Sequence, residues 1–170
     1  FLLLRGRCRY CRSRVSWQYP LVELATAFVF FVLSSQYLHT QHNAFSLYYF
    51  LSKAAAFSAL IAIFVYDLRH KIIPDALAFI FAGVSVIPVL IEAFQAGLSE
   101  PILLNLAAGP ILFTPFFLLW FLSRGKWMGF GDAKLAVGIG WLLSLSGGVS
   151  AVIFGFWSGA IVGVSLMVLS

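Results

Sequence analysis

Charge is the property this sequence has least of. Only 10% of its 170 residues are charged, and just 6 are Asp or Glu. A soluble domain carries about 25% charged residues, so an ordinary water-facing surface is excluded. Two cysteines, Cys8 and Cys11, are too few for a disulfide framework. His39 and His42 have no third metal ligand near them in sequence, and His70, beside the acid Asp67, is expected to be a solvated loop histidine, with tuning of that acid as the alternative. What fills the chain instead is apolar: 62% hydrophobic residues with 18 Phe and 5 Trp, and a mean hydropathy of +0.99. Lipid-facing and interfacial positions absorb such a composition. The expected class is an all-α, polytopic membrane protein. Its formal net charge of +5 reads as a record of membrane topology and not as nucleic-acid binding.

The chain opens on Phe1 and ends inside the apolar run Leu166-Met167-Val168-Leu169-Ser170, which reads as a fragment of something longer. Phe1-Leu2-Leu3-Leu4 is too short for a signal-peptide core. Residues 1–19 are basic, with Arg5, Arg7, Arg9, Arg12 and Arg14 around Cys8-Arg9-Tyr10-Cys11. They read as the remnant of a cytoplasmic Cys-x-x-Cys domain, and residues 20–170 as a transmembrane domain. Two thiolates at this spacing can reach one Zn²⁺, but a tetrahedral structural site takes four ligands. A leftover or reducible pair is the alternative to a metal site completed from elsewhere.

A span needs roughly 17–25 apolar residues at ~1.5 Å rise each. Six segments meet or approach that length: Pro20–Leu38, Leu47–Tyr66, Pro74–Phe94, Ile102–Leu122, Asp132–Leu145 and Gly148–Ser170. Of the 11 basic residues, all but Lys53 fall in the N-terminal stretch or in alternate connectors, through Arg69, Lys71, Arg124, Lys126 and Lys134. The positive-inside rule puts those regions in the cytoplasm. Lys53, near the outer end of the second segment, is expected to snorkel to the headgroups. Pro88 and Pro115 are expected to kink the third and fourth segments. Gly155, Gly159 and Gly163 recur every fourth residue, a spacing expected to bring another helix close, and Gly138 and Gly140 suggest the same for the fifth segment.

Two acids stand out against this background. Asp67 closes the second segment in Tyr66-Asp67-Leu68-Arg69. Asp132 opens the fifth in Gly129-Phe130-Gly131-Asp132-Ala133-Lys134-Leu135. An acid at the edge of hydrocarbon is expensive to keep and marks a functional site by default. The topology puts both at one membrane face, where they meet if the second and fifth helices pack together. Two such carboxylates suit aspartyl proteolysis, one ionised to activate water and one protonated. Gly129 and Gly131 are expected to supply backbone freedom and close approach, and Lys134 to anchor its helix at the interface. Each acid has a plainer reading, as a helix-start or hydrated loop residue. Asp75 after Pro74 is the clearest instance of that plainer grammar. Glu23, early in the first segment, either caps that helix or faces the site.

These pieces occur in order: Cys8-x-x-Cys11, Ser16-Trp17-Gln18-Tyr19-Pro20-Leu21-Val22-Glu23-Leu24, Asp67-Leu68-Arg69 with Ile73-Pro74-Asp75, and Gly129-Phe130-Gly131-Asp132-Ala133-Lys134-Leu135. Together, over residues 8 to about 140, they resemble the bacterial type IV prepilin leader peptidases, a Gly-x-Gly-Asp aspartyl membrane protease family. The resemblance implies removal of the basic leader of type IV prepilins and type II secretion pseudopilins at the cytoplasmic face of the bacterial inner membrane, with Asp67 and Asp132 catalytic and no cofactor for proteolysis. It also implies that many members methylate the new N-terminus with S-adenosylmethionine, and that Cys8 and Cys11 match the second of two cysteine pairs, candidate Zn²⁺ ligands.

Two other readings are weighed. A presenilin or signal-peptide-peptidase type of protease shares Tyr-Asp and Gly-x-Gly-Asp but adds a Pro-Ala-Leu motif that does not occur here. A transporter coupled to protons or cations places its acids near the bilayer midplane, whereas these stand at one boundary. Expected partners are prepilin and pseudopilin substrates and the lipid bilayer, with no nucleic acid; the sequence assigns no oligomeric state.

Overall fold

A computed structural model describes residues 6–39 and 44–169. Phe1 to Arg5, His42 and Ser170, which figure in the reading above, lie outside the described residues. Five α-helices follow one another: α1 Gln18–Leu38, α2 Ala44–His70, α3 Asp75–Ala96, α4 Glu100–Ser123 and α5 Phe130–Leu169. All five are long and apolar enough to cross a membrane. Among the described residues the only strand-like pairing is an isolated antiparallel bridge between Arg7 and Arg14. The bundle is therefore all-α, as composition demands of a chain whose backbone must satisfy itself in lipid.

The fifth and sixth apolar segments both fall within α5. Helical geometry breaks once inside it, at Ser144, with φ 62° and ψ 178°. Neighbours on α4 show that the chain reverses there. Phe130 meets Phe117 and Trp120, Gly140 meets Ala108, Gly148 faces Leu112, and Phe156 stacks on Phe116. The first arm, 130–143, thus runs antiparallel to α4 and the second, 145–169, runs parallel to it. No Pro or charge marks the break.

A buried cluster lies where α3 meets α2 and the first arm of α5. Phe81 is wholly buried and gathers Ala56 and Ile63 of α2 on one side, with Leu135, Ile139 and Leu142 of α5 on the other. A Cβ on Gly140 would stand 2.5 Å from the Ala108 carbonyl oxygen, so glycine is what lets this arm touch the α4 backbone. In lipid no hydrophobic drive separates helix from hydrocarbon, and such close approach supplies the attraction. The Trp141 indole N–H donates to the Leu106 carbonyl at 2.9 Å and fixes the same contact. By contrast α1 packs mainly on α2, and Leu33 is its one buried residue.

One packing expectation needs correction. Gly155 and Gly159 are exposed, and a Cβ on either of them or on Gly163 would meet nothing within 4 Å. Within the described chain this stripe makes no helix contact. Asp67 and Asp132 lie on helices that both pack on α3, and residues of α2, α3 and α5 share one apolar cluster.

Candidate active site

Asp67 stands in the last turn of α2. The helix ends there because Lys71 adopts the left-handed conformation, φ 57°, and its N–H closes on the Asp67 carbonyl at 2.7 Å. Pro74, with φ −66° and ψ 124°, then starts α3. Asp132 lies in the first turn of α5, where its N–H donates to the Gly129 carbonyl at 3.3 Å. An acid in the first turn is favoured by the helix dipole. The α2–α3 turn and the start of α5 share one end of the bundle, bringing Asp67 and Asp132 close enough to interact electrostatically. Among the described residues neither carboxylate has a hydrogen-bonding or ion-pair partner.

Asp132 also lines a cavity of about 550 Å³ between the two arms of α5. Leu135 and Ile139 contribute from the first arm, Val152 and Phe156 from the second, and the wall is otherwise small: Ala136, Ala151, Gly155, Gly159 and Ala160. A carboxylate thus stands in an apolar cleft that runs along the helices.

The glycines act differently from expectation. Neither Gly129 nor Gly131 has positive φ, so the backbone freedom of glycine is not used. Gly131 is needed for space: a Cβ there would come within 2.9 Å of the Ile73 Cβ. At Gly129 the nearest atom to such a Cβ would be Asp132 Oδ2 at 4.0 Å, an ordinary contact.

Lys134 does not simply anchor its helix at an interface. Its Nζ lies 2.6 Å from Asp75 Oδ1 and crosses the faces of Phe130, 4.8 Å from the centroid, and Phe79, 5.5 Å away. Nothing local announces a pair whose members are 59 positions apart. His70 is exposed and stacks with Tyr66 at 4.4 Å. Glu23 is exposed on α1, which packs mainly on α2; the helix start has no side-chain cap bond, and Glu23 is not among the residues that line the cleft.

Cys8 and Cys11 are free thiols on a small turn, closed by the Cys8 N–H on the Ser13 carbonyl at 2.9 Å. Hydrogen bonding by the Ser13 side chain, 3.0 Å from Cys11 Sγ, then by its backbone and by Cys8, lowers the Cys11 thiol to about 7. Among the described residues no group of three or more His, Cys, Asp or Glu is placed to hold a metal, so the two thiols leave a four-ligand site incomplete.

Comparison with known proteins bears on the same segments. The Type IV leader peptidase family profile matches residues 54–164, and the Bacterial Peptidase A24 N-terminal domain matches residues 1–37. The "Prepilin leader peptidase/N-methyltransferase" of Xanthomonas campestris pv. campestris is 30% identical over 164 residues, covering 96% of this chain and 54% of its own. The protein of the same name from Myxococcus xanthus is 28% identical over 171 residues, covering 98% and 48%. The "Type 4 prepilin-like proteins leader peptide-processing enzyme" of Escherichia coli O78:H11 is 33% identical over 153 residues, covering 86% and 52%. The chain thus spans about half the length of these curated relatives. No solved structure matches it.

Proposed function

The chain belongs to the Type IV leader peptidase family, and on that footing we propose that Asp67 and Asp132 are the catalytic dyad of a membrane aspartyl endopeptidase. Its substrates are type IV prepilins and type II secretion pseudopilins, cleaved on the cytoplasmic side of a bacterial inner membrane. The observation that carries the reading is the placing of two carboxylates, unpartnered among the described residues, at one end of the bundle, with one of them lining an apolar cleft. In the reaction, the ionised carboxylate takes a proton from water as its oxygen attacks the scissile carbonyl. The protonated partner donates to the carbonyl oxygen, and the C–N bond then breaks as the leaving amine takes up a proton. The cleft suits the hydrophobic helix that follows a prepilin leader.

We extend the proposal to methyl transfer from S-adenosylmethionine to the newly exposed N-terminus, supported only by the names of the relatives; no residue of this chain is assigned to it. Cys8 and Cys11 would supply two of the four ligands a structural zinc site takes, and proteolysis by the two aspartates does not need the metal.

The test is leader release from a reporter prepilin in membranes containing the full-length protein. Cleavage by the wild type and its loss in Asp132→Asn at equal abundance is the expected result. An inactive wild type, or an equally active variant, overturns the reading.

A further inference from the structure

Asp75 follows a proline at a helix start, and on sequence alone its position is explained by the helix dipole. The structure gives it a partner across the bundle: Lys134, two residues beyond Asp132, reaches it at 2.6 Å. The Lys134 side chain is only 16% exposed while that of Asp75 is 68% exposed. The ammonium is therefore enclosed by the Phe130 and Phe79 rings, so this is not a free surface pair of the kind that contributes nothing.

This ion pair lies beside a second contact between the same two segments, the seating of Ile73 against Gly131. Each contact ties the α2–α3 turn to the first turn of α5. The turn carries Asp67 at its start, four residues before the left-handed Lys71, and Asp132 sits between Gly131 and Lys134. On α5 the two contacts flank Asp132, and on the other segment both follow Asp67 across the turn, yet neither contact is made by a carboxylate of the pair.

We infer that Asp75 and Lys134 are positioning residues, a charged clamp that holds the spacing of Asp67 and Asp132. The inference rests on reading those two acids as the dyad. A salt bridge placed here acts on geometry more than on global stability. Misplacing reacting groups by ~1 Å costs on the order of 10²-fold in rate, while substrate held along the apolar cleft is bound as before.

The test uses the full-length protein in membranes, with kcat and KM measured for Asp75→Ala, Lys134→Met, their double variant and Lys134→Arg. Each neutralising variant should lose about ten-fold or more in kcat with KM within about two-fold. The double variant should be no worse than the worse single one, because the two act as a unit. Lys134→Arg should recover most of the loss. A geometric readout stands apart from proteolysis: pulsed EPR between spin labels on Arg69→Cys and Lys126→Cys, in protein whose other cysteines are replaced. Its distance distribution should broaden in Asp75→Ala and in Lys134→Met. Unchanged kcat in both single variants, losses that multiply in the double one, or an unchanged distribution overturns the clamp. If the wild type does not cleave, the dyad reading falls and the EPR measurement alone decides the clamp.

Discussion

Ile73 fills the space that any side chain at position 131 would need, with its Cβ 2.9 Å from where a Cβ on Gly131 would stand. Both are backbone-anchored atoms, so the clash is not relieved by swinging a flexible chain end. Gly131→Ala should destabilise by about 1–3 kcal/mol, the usual range for overpacking, and should lower leader cleavage at least several-fold by pushing the two carboxylates apart. Gly129→Ala, whose new methyl meets only an ordinary contact, should cost little stability. Thermal unfolding in detergent beside a cleavage assay separates the two, and equal behaviour would contradict the packing at Ile73.

Asp67→Asn and Asp132→Asn should each abolish leader cleavage without loss of abundance. Asn keeps size and much of the hydrogen bonding, so the change addresses the proton and the charge. The double variant should be little worse than either single one, as expected of groups that act together. Residual activity at the wild-type rate in either single variant removes that residue from the dyad.

Gly155→Leu and Gly159→Leu test the cleft. Neither new side chain meets anything within 4 Å at its Cβ, so the fold should tolerate both. Each adds apolar bulk to a cavity of about 550 Å³ that Asp132 also lines. The expected signature is a KM raised several-fold with kcat changed much less, because uniform binding is what is lost. A normal KM in both variants would place the substrate helix elsewhere.

Cys11 provides a prediction outside the membrane. With its thiol lowered to about 7 by hydrogen bonding, chiefly from Ser13, thiolate forms at lower pH than for an ordinary cysteine. The rate of iodoacetamide alkylation should rise through a midpoint near pH 7 and level off above it. Ser13→Ala should move that midpoint upward. Cys8→Ser with Cys11→Ser should leave most proteolysis intact, since thiolates have no part in aspartyl water activation.

The proposed orientation is open to labelling. A membrane-impermeant maleimide applied to intact cells should fail to reach a cysteine introduced at Lys126, and should reach it once the membrane is opened. Labelling from outside would invert the topology.

Much of this arrangement is legible in the sequence, because lipid permits few solutions. Apolar run length locates the helices, and the one-sided basic residues put Asp67 and Asp132 at one end. What escapes is the part set by distant packing. The reversal at Ser144 sits in Leu142-Leu143-Ser144-Leu145-Ser146, two residues before the gap the apolar runs suggest, because the stronger turn signal is the Ser146-Gly147 pair that follows it. The Asp75–Lys134 pair is equally silent: helix-start grammar and interfacial anchoring explain each residue locally, and only the fold makes them partners. The Gly155, Gly159 and Gly163 stripe misleads in the opposite sense, since its spacing promises a neighbour that the described chain does not place there.

The reversal at Ser144 also shapes the lipid. The first arm of α5, residues 130–143, is about 21 Å long at ~1.5 Å per residue, against a hydrocarbon slab of about 30 Å. Its start lies level with the Trp120 end of α4 and its Gly140 is level with Ala108. The turn therefore stops roughly 6 Å, about four residues, short of the α4 end at Glu100. On the side away from the carboxylates the bundle has a dent, and acyl chains above it must tilt or shorten to follow. Such deformation costs fractions of a kcal/mol per Å, and that term grows as the surrounding bilayer thickens. A thicker bilayer would press from the far leaflet on the hairpin that carries Asp132, and short-chain lipids would relax it.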